Sequence, residues 1–193
     1  MESLKIAATG MGAQQLRVDT IANNLANMST TAYNARRAEF ADLHYRQDVM
    51  AGTVSASDGT VLPTGVQVGL GVRPAAISVQ LSQGASSRTG GDLDVAIEGR
   101  GYLEVELPNG QAAYTRAGAL KRSPDGQIVT ADGFPLVPDI TIPDDARSIS
   151  IAADGSVNAF FDDQTAPEEL GRFALAAFSN EKGLEAMGDN LFL

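Results

Sequence analysis

The residues that could carry acid–base or metal chemistry in this chain are few and scattered. The sequence has one histidine, His44, and no cysteine. Without cysteine, the chain has no thiolate nucleophile, thiolate metal ligand or disulfide. His44 has no second histidine at a metal-binding spacing, so we expect a packed or exposed histidine rather than a catalytic or metal-binding one.

Paired carboxylates are the other candidates for chemistry. The pairs are Asp92/Asp94, Asp144/Asp145, Asp162/Asp163 and Glu168/Glu169. General acid–base catalysis requires two carboxyl groups that face each other across a cleft. These pairs lie beside turn-forming residues, so we expect solvated loops. The chain also lacks a dinucleotide-binding, phosphate-binding or calcium-loop pattern. The sequence therefore predicts no catalytic residue, no metal site, no cofactor and no enzyme activity.

The charge of the chain is acidic and uneven. Residues 1–50 carry five basic and five acidic side chains, whereas residues 51–193 carry nine basic and nineteen acidic ones. An acidic body repels phosphate backbones, so we expect no nucleic-acid partner. The sequence has no apolar run of about 18 residues, which predicts no membrane insertion. Its first residues, MESLKIAATGMGAQQ, do not have the pattern of a cleavable signal peptide.

Apolar residues at heptad spacing dominate the N-terminal segment. One row repeats every seven residues at Leu4, Met11, Val18 and Leu25, and a second row follows it at Ala7, Gln14, Ile21 and Met28. Two such rows predict a helix that packs lengthwise on another helix. An ordinary amphipathic helix on its own domain is the alternative. The second row is thin, and two internal glycines each cost about 1 kcal/mol relative to alanine, so we expect a helix that depends on partners.

The remainder of the chain changes to strand patterns. Residues 51–72 predict an extended linker with short strands. From about Ser78 the hydrophobic period is two, with Asn-Gly or Asp-Gly turns near Gly110, Gly126, Gly133 and Gly155, and the C-terminal end offers only a short helical turn. The fold class is therefore α+β: an N-terminal heptad helix, at 1–31, then a linker or insertion at 32–77, and an antiparallel β-rich domain at 78–193.

One stretch, IANNLANMSTTAY at residues 21–33, resembles the N-terminal signature of the bacterial flagellar rod, hook and hook-associated axial proteins. The matching residues are Asn23, Asn24, Leu25, Ala26, Asn27, Thr30 and Tyr33. Ala32 stands where glycine is usual, and Asn34 where a basic residue is common. The segments at 62–74, 92–118 and 129–136 are also similar to the family, so the resemblance covers nearly the whole chain.

The resemblance implies a helical inner domain that lines a tubular rod, and an outer β domain. Family members continue past the position of Leu193 with a second heptad helix that pairs with the first. The function implied is that of a structural rod subunit, in the shaft that transmits motor torque to the hook. The insertion at 46–61 favours the distal rod over a proximal rod or hook subunit. An acidic β-rich periplasmic binding module is the alternative of a different class.

The implied partners are copies of the chain in a helical tube, other rod proteins, the hook protein and the surrounding basal-body rings. The implied location is the flagellar basal body, where the rod spans the periplasm, after export through the flagellum's own channel. The predicted subunit-interaction residues are Leu4, Ala7, Met11, Val18, Ile21, Asn23, Asn24, Leu25, Asn27 and Met28.

Two further expectations concern local structure. The asparagines should end the helix, because their side chains bond to backbone groups and asparagine tolerates positive φ without glycine. The insertion should lie extended on the tube surface, where its β-branched residues would form edge-strand hydrogen bonds between chains. These residues are Thr53, Val54, Thr60 and Val61.

Overall fold

The computed structural model describes residues 1–52, 63–162 and 166–193, and the chain divides into two compact units. The first unit comprises residues 1–28 and 34–81, and the second comprises residues 29–33 and 82–193. The charge follows this division. The first unit has six basic and six acidic side chains, whereas the second has eight basic and eighteen acidic ones. The whole net charge of −10 therefore belongs to the second unit.

The first unit combines one helix with a long two-stranded ribbon. Helix α1 spans Glu2–Ala26, and the strands are β1 (Arg36–Asp42), β2 (Tyr45–Val49), β3 (Val66–Gly69) and β4 (Val72–Val79). β1 pairs with β4, and β2 pairs with β3, both antiparallel, so the second pair is nested inside the first. A two-stranded ribbon is marginal by itself in water. It is supported here by α1, which packs on β1 and β4.

Two expectations for this unit can be compared with the structure. The predicted helix is confirmed, and it ends at Ala26, inside the asparagine-rich run. The short strands expected within 51–72 are present as β3 and the start of β4. The predicted edge-strand residues Thr53, Val54, Thr60 and Val61 lie outside the described residues. The predicted boundaries at 31 and 77 stay a prediction.

The second unit is built from antiparallel strands. They are β5 (Tyr102–Glu106), β6 (Ala112–Thr115), β7 (Lys121–Arg122), β8 (Ile128–Val129), β9 (Leu136–Val137), β10 (Ser148–Ile151), β11 (Ser156–Phe160), β12 (Glu168–Arg172), β13 (Leu175–Ala176), β14 (Ala186–Gly188) and β15 (Leu191–Phe192). A six-stranded sheet has the order β13-β5-β6-β15-β14, with β9 paired to β5. A three-stranded sheet has the order β10-β11-β12, and β7 pairs with β8. The predicted α+β class is confirmed.

The predicted glycine turns are confirmed by their backbone conformations. Gly110, Gly126, Gly133 and Gly155 all have positive φ, between 79° and 92°. Gly126 is further constrained, because a Cβ added there would lie 2.6 Å from the carbonyl oxygen of Ile142. Only glycine meets both requirements without strain.

The core of the second unit forms without the helix. Val105, Ile128, Ile142 and Val157 are at most 1% exposed and belong to one cluster, which draws on both larger sheets. Tyr102 is also buried, and its ring makes edge-on contacts with Phe178 and Phe192. Burial of this phenol raises the pKa of Tyr102. Since no residue of α1 belongs to this cluster, changes to the exposed face of the helix should leave the β fold intact.

The C-terminal end differs from the prediction of a short helical turn alone. A 3₁₀ helix does occur at Glu181–Gly183, but it is followed by the hairpin β14–β15. Asp189 and Asn190 occupy the turn with φ of 50° and 58°. These two residue types tolerate the left-handed region, so they form a hairpin turn that the sequence analysis missed. β15 then pairs with β6 and completes the six-stranded sheet.

Candidate assembly surface

Helix α1 packs on the ribbon with a face that the heptad analysis did not identify. This face consists of the half-buried Ile6, Thr9 and Leu16 and the buried Ala13 and Thr20. The spacing of three and four residues places them on one side of the helix. Three of the five are small or polar, so a hydrophobic pattern does not reveal them. They let the helix approach the ribbon closely while burying little apolar area.

The heptad face is exposed in the described structure. Its large apolar residues are 55–75% exposed: Leu4, Met11, Val18, Ile21, Leu25 and Met28. At 100° per residue, this face lies about 140° around the helix from the ribbon-facing side. From Leu4 to Leu25 the exposed stripe runs about 32 Å along the helix, and Met28 lies just past the helix end at Ala26. We call this stripe, with Ala7 and Gln14, the heptad seam. A continuous apolar stripe of this size is typical of an interaction surface.

The side-chain amide of Asn24 connects the helix to the first strand. Its Nδ2 donates to the carbonyl oxygen of Arg36 at 2.7 Å, and the Arg36 backbone N–H donates to Asn24 Oδ1 at 2.9 Å. Arg36 is the first residue of β1. The amide therefore occupies the position that a neighbouring strand would take in a ladder. Asn24 is thus one predicted interaction residue whose amide has partners within its own chain.

Thr9 makes a second polar connection between α1 and the ribbon. Its hydroxyl donates to the carbonyl oxygen of Ile6 at 2.7 Å and accepts from the backbone N–H of Val72 at 3.3 Å. Gly71, at φ +117°, lies directly against this hydroxyl, and a Cβ at that position would collide with it. Glycine at position 71 is therefore required for the close approach of the ribbon to the helix.

The end of the helix uses asparagine side chains, as predicted, but by a different geometry. Both the backbone N–H and Nδ2 of Asn27 donate to the carbonyl oxygen of Asn23, at 3.1 and 2.9 Å. Asn27 itself has φ −100°, so the predicted left-handed asparagine is wrong. The left-handed residue is Ala32, at φ 60°. A non-glycine residue in this region costs about 1–3 kcal/mol.

Arg46 links the start of the helix to β2. Its guanidinium forms ion pairs with Glu2 and with Asp48, the latter at 2.7 Å. The hydrogen bond from Arg46 lowers the pKa of Asp48, and both carboxylates raise the pKa of Arg46. All three side chains are at least 41% exposed. Such exposed ion pairs contribute little to the stability of the fold. Their effect is to orient the start of the helix relative to β2 rather than to stabilise the contact.

The candidate catalytic and metal-binding side chains do not come together in one site within the described residues. His44 is exposed and lines an open groove of about 390 Å³ with Asp42, Leu43, Tyr45 and Arg73. Within the described ranges, no group of three histidine or acidic side chains could hold a metal ion. The described members of the carboxylate pairs are exposed, as predicted. Glu168 and Glu169, however, lie on strand β12 rather than in a loop, and Asp163 lies outside the described residues.

Among the residues described, no helix has the length and apolar character needed to cross a bilayer. The heptad seam of α1 is the candidate assembly surface, because its large apolar side chains are exposed.

Comparison with known proteins agrees with the sequence resemblance. Residues 4–33 match the family described as flagella basal body rod protein, and residues 96–159 match the flagellar hook protein FlgE/F/G D1 domain. The chain is 49% identical over 193 residues to the flagellar basal-body rod protein FlgG of Caulobacter vibrioides, covering 100% of this chain and 74% of that protein. It is 44% identical to FlgG of Agrobacterium fabrum, with 100% and 73% covered.

A more distant relative carries the same name. FlgG of Bacillus subtilis is 35% identical over 197 residues, which cover 100% of this chain and 73% of that protein. The similarity thus extends from the heptad helix through the antiparallel sheets. The chain belongs to the FlgG family of flagellar basal-body rod proteins.

Proposed function

We propose that this protein polymerises into the distal rod, the drive shaft that transmits motor torque through the periplasm to the hook. The observation that supports this proposal is the heptad seam on α1, whose apolar side chains have no cover in the described structure. A tube arises when subunits make head-to-tail contacts that do not close into a ring. A helix with an apolar stripe along its length is suited to such lateral packing.

Burial of the seam residues would contribute substantially to the free energy of assembly. Burying a large aliphatic side chain fully is worth about 1.5–3 kcal/mol. The six large seam residues are 55–75% exposed in the described structure, so each could still contribute roughly 1–2 kcal/mol. The total, about 6–12 kcal/mol per helix, is comparable with the cost of about 4–15 kcal/mol that association imposes on a subunit, so the seam acts together with other contacts between subunits.

The predicted contact residues enter the proposal with different roles. Leu4, Ala7, Met11, Val18, Ile21, Leu25 and Met28 supply the apolar contacts between helices. Asn23 is exposed near the C-terminal end of α1, and it stays a proposed contact residue. Asn24 and Asn27 each also bond within the chain, to Arg36 and Asn23. The partners proposed are copies of this chain, other rod proteins, the hook protein and the basal-body rings. The work is mechanical, so no cofactor or catalytic group is required.

Photo-crosslinking in assembled rods tests the proposal. A photoreactive amino acid replaces Val18, on the seam, and in a matched control replaces Gln15, which is exposed on α1 but off the seam. Each full-length variant is expressed in cells that lack the native rod protein, and basal bodies are isolated and irradiated. We expect adducts from position 18 at several-fold higher yield than from position 15, with masses that are multiples of this chain. Motile cells whose rods show no adduct from position 18 would overturn the proposal.

A second measurement separates the rod subunit from an acidic binding module. Concentrated full-length protein should form straight tubes under negative stain. A preparation that stays dispersed at every concentration would favour the binding module.

A further inference from the structure

We propose that Asn24 is a positioning residue for assembly: its side-chain amide fixes the C-terminal end of α1 on β1 and thereby sets the direction in which the heptad seam faces. The inference rests on the proposed function, since the seam has to meet a neighbouring helix at a defined angle. It assigns to Asn24 a role within the subunit, distinct from the contacts between subunits.

The backbone pattern of β1 explains why an amide is needed at this position. The backbone N–H of Gln80, just past β4, donates to the carbonyl oxygen of Ala35 at 2.8 Å. In an antiparallel pair, alternate residues direct both backbone groups towards the partner strand. Arg36, the next residue, therefore directs its N–H and carbonyl away from β4. Asn24 meets both, because its side chain offers one donor and one acceptor in a plane.

The position of Asn24 along the helix lets it influence the direction in which the heptad seam faces. Thr9 holds the other half of α1 through the Val72 backbone N–H. The two anchors are fifteen residues apart, or about 22 Å along the helix. Two separated polar contacts fix both the tilt of a helix and its rotation about its own axis. Between them, the ribbon-facing side has the small buried residues Ala13 and Thr20 and the half-buried Leu16. Without Asn24, the end of the helix that carries Ile21 and Leu25 would be weakly oriented.

The substitution Asn24→Ala tests this role, with Gln15→Ala as a matched control. Both remove a side-chain amide from α1, and Gln15 is exposed off the seam. Alanine is a better helix former than either residue, so the helix content by circular dichroism should not fall. In dilute full-length protein, we expect the hydrogen-exchange protection of the Arg36 amide to fall about threefold to tenfold in Asn24→Ala, the effect of losing one hydrogen bond. The control should leave it unchanged.

Spin labels report the orientation directly. The chain has no cysteine, so Arg17→Cys and Arg37→Cys, both exposed, provide a unique pair of labels on α1 and β1. We expect a narrow distance distribution in the parent and in Gln15→Ala, and a broad one in Asn24→Ala. Cells that carry Asn24→Ala should form several-fold fewer rods than cells with the control.

Three outcomes would overturn the inference. The first is an Asn24→Ala variant in which the exchange protection of the Arg36 amide and the spin-label distances are unchanged, regardless of how many rods the cells form. The second is a broadened distribution with normal rod numbers, which would show that orientation does not matter. The third is a fall in helix content that accounts for the loss by itself. Crosslinking at position 18 in the parent tests the proposed function separately, so the two proposals can fail independently.

Discussion

Substitution of Leu25 by aspartate tests the heptad seam most directly. Leu25 is 66% exposed in the described structure, near the C-terminal end of α1. In the monomer the new carboxylate stays in water. Its cost is limited to a lower helix propensity, about 0.5 kcal/mol, and to the negative end of the helix dipole, about 0.3–1 kcal/mol. The second unit should keep its stability, because Leu25 is outside its core cluster.

The cost in the polymer is much larger. Assembly loses the burial of the exposed two thirds of Leu25, which is worth about 1–2 kcal/mol. It also forces an unpaired carboxylate into an apolar contact, at a cost of several kcal/mol. The sum is at least about 3 kcal/mol per subunit, which raises the concentration needed for assembly more than about 100-fold.

The assay compares rod formation with folding in the full-length protein. Basal bodies are counted by electron microscopy in cells that lack the native protein, and motility is scored on soft agar. Urea unfolding of the purified variant reports on the second unit. Ala26→Asp is the matched control, because it places the same charge one residue away, at the same exposed helix end and off the seam. Leu25→Asp cells with normal rods, or equal defects in both variants, would refute the seam assignment.

Three further predictions concern other parts of the chain. Deleting residues 46–61, which removes residues 46–49 of β2, should leave the second unit folded but change the stiffness or curvature of the polymer; equally straight and rigid assemblies under negative stain would show that the segment does not set these properties. Gly126→Ala should lower the free energy of unfolding by at least about 1 kcal/mol more than Gly133→Ala, because both have positive φ but only Gly126 lies against a backbone carbonyl; equal urea midpoints would contradict this. Hydrogen bonds from the Ser156 hydroxyl and N–H lower the pKa of Asp154, so its contribution to stability is present above the ordinary aspartate pKa and is lost as the pH falls through the lowered value. The stability difference between the parent and Asp154→Asn should therefore shrink in acid unfolding titrations, and a constant difference down to about pH 2 would refute the assignment.

The features that could be predicted from the sequence are those set by residues close together in the chain. Leu4, Met11, Val18 and Leu25 specify a helix because their spacing matches the helical repeat. Asn-Gly and Asp-Gly pairs specify tight turns because glycine accepts positive φ. The resemblance at 21–33 is local in the same way, so the sequence alone indicates the family.

Other features depend on contacts that only the folded chain creates. The ribbon-facing side of α1 could not be predicted, because Thr9, Ala13 and Thr20 are too small or polar to stand out in a hydrophobic pattern. The Asn24–Arg36 connection joins residues twelve apart. The sequence around a side-chain amide does not indicate which backbone group it will bond to. Neither of the two central residues of the hairpin turn, Asp189 and Asn190, is a glycine. In each case the choice depends on which backbone groups the tertiary structure leaves to be paired or covered, and that information is not contained in any single segment.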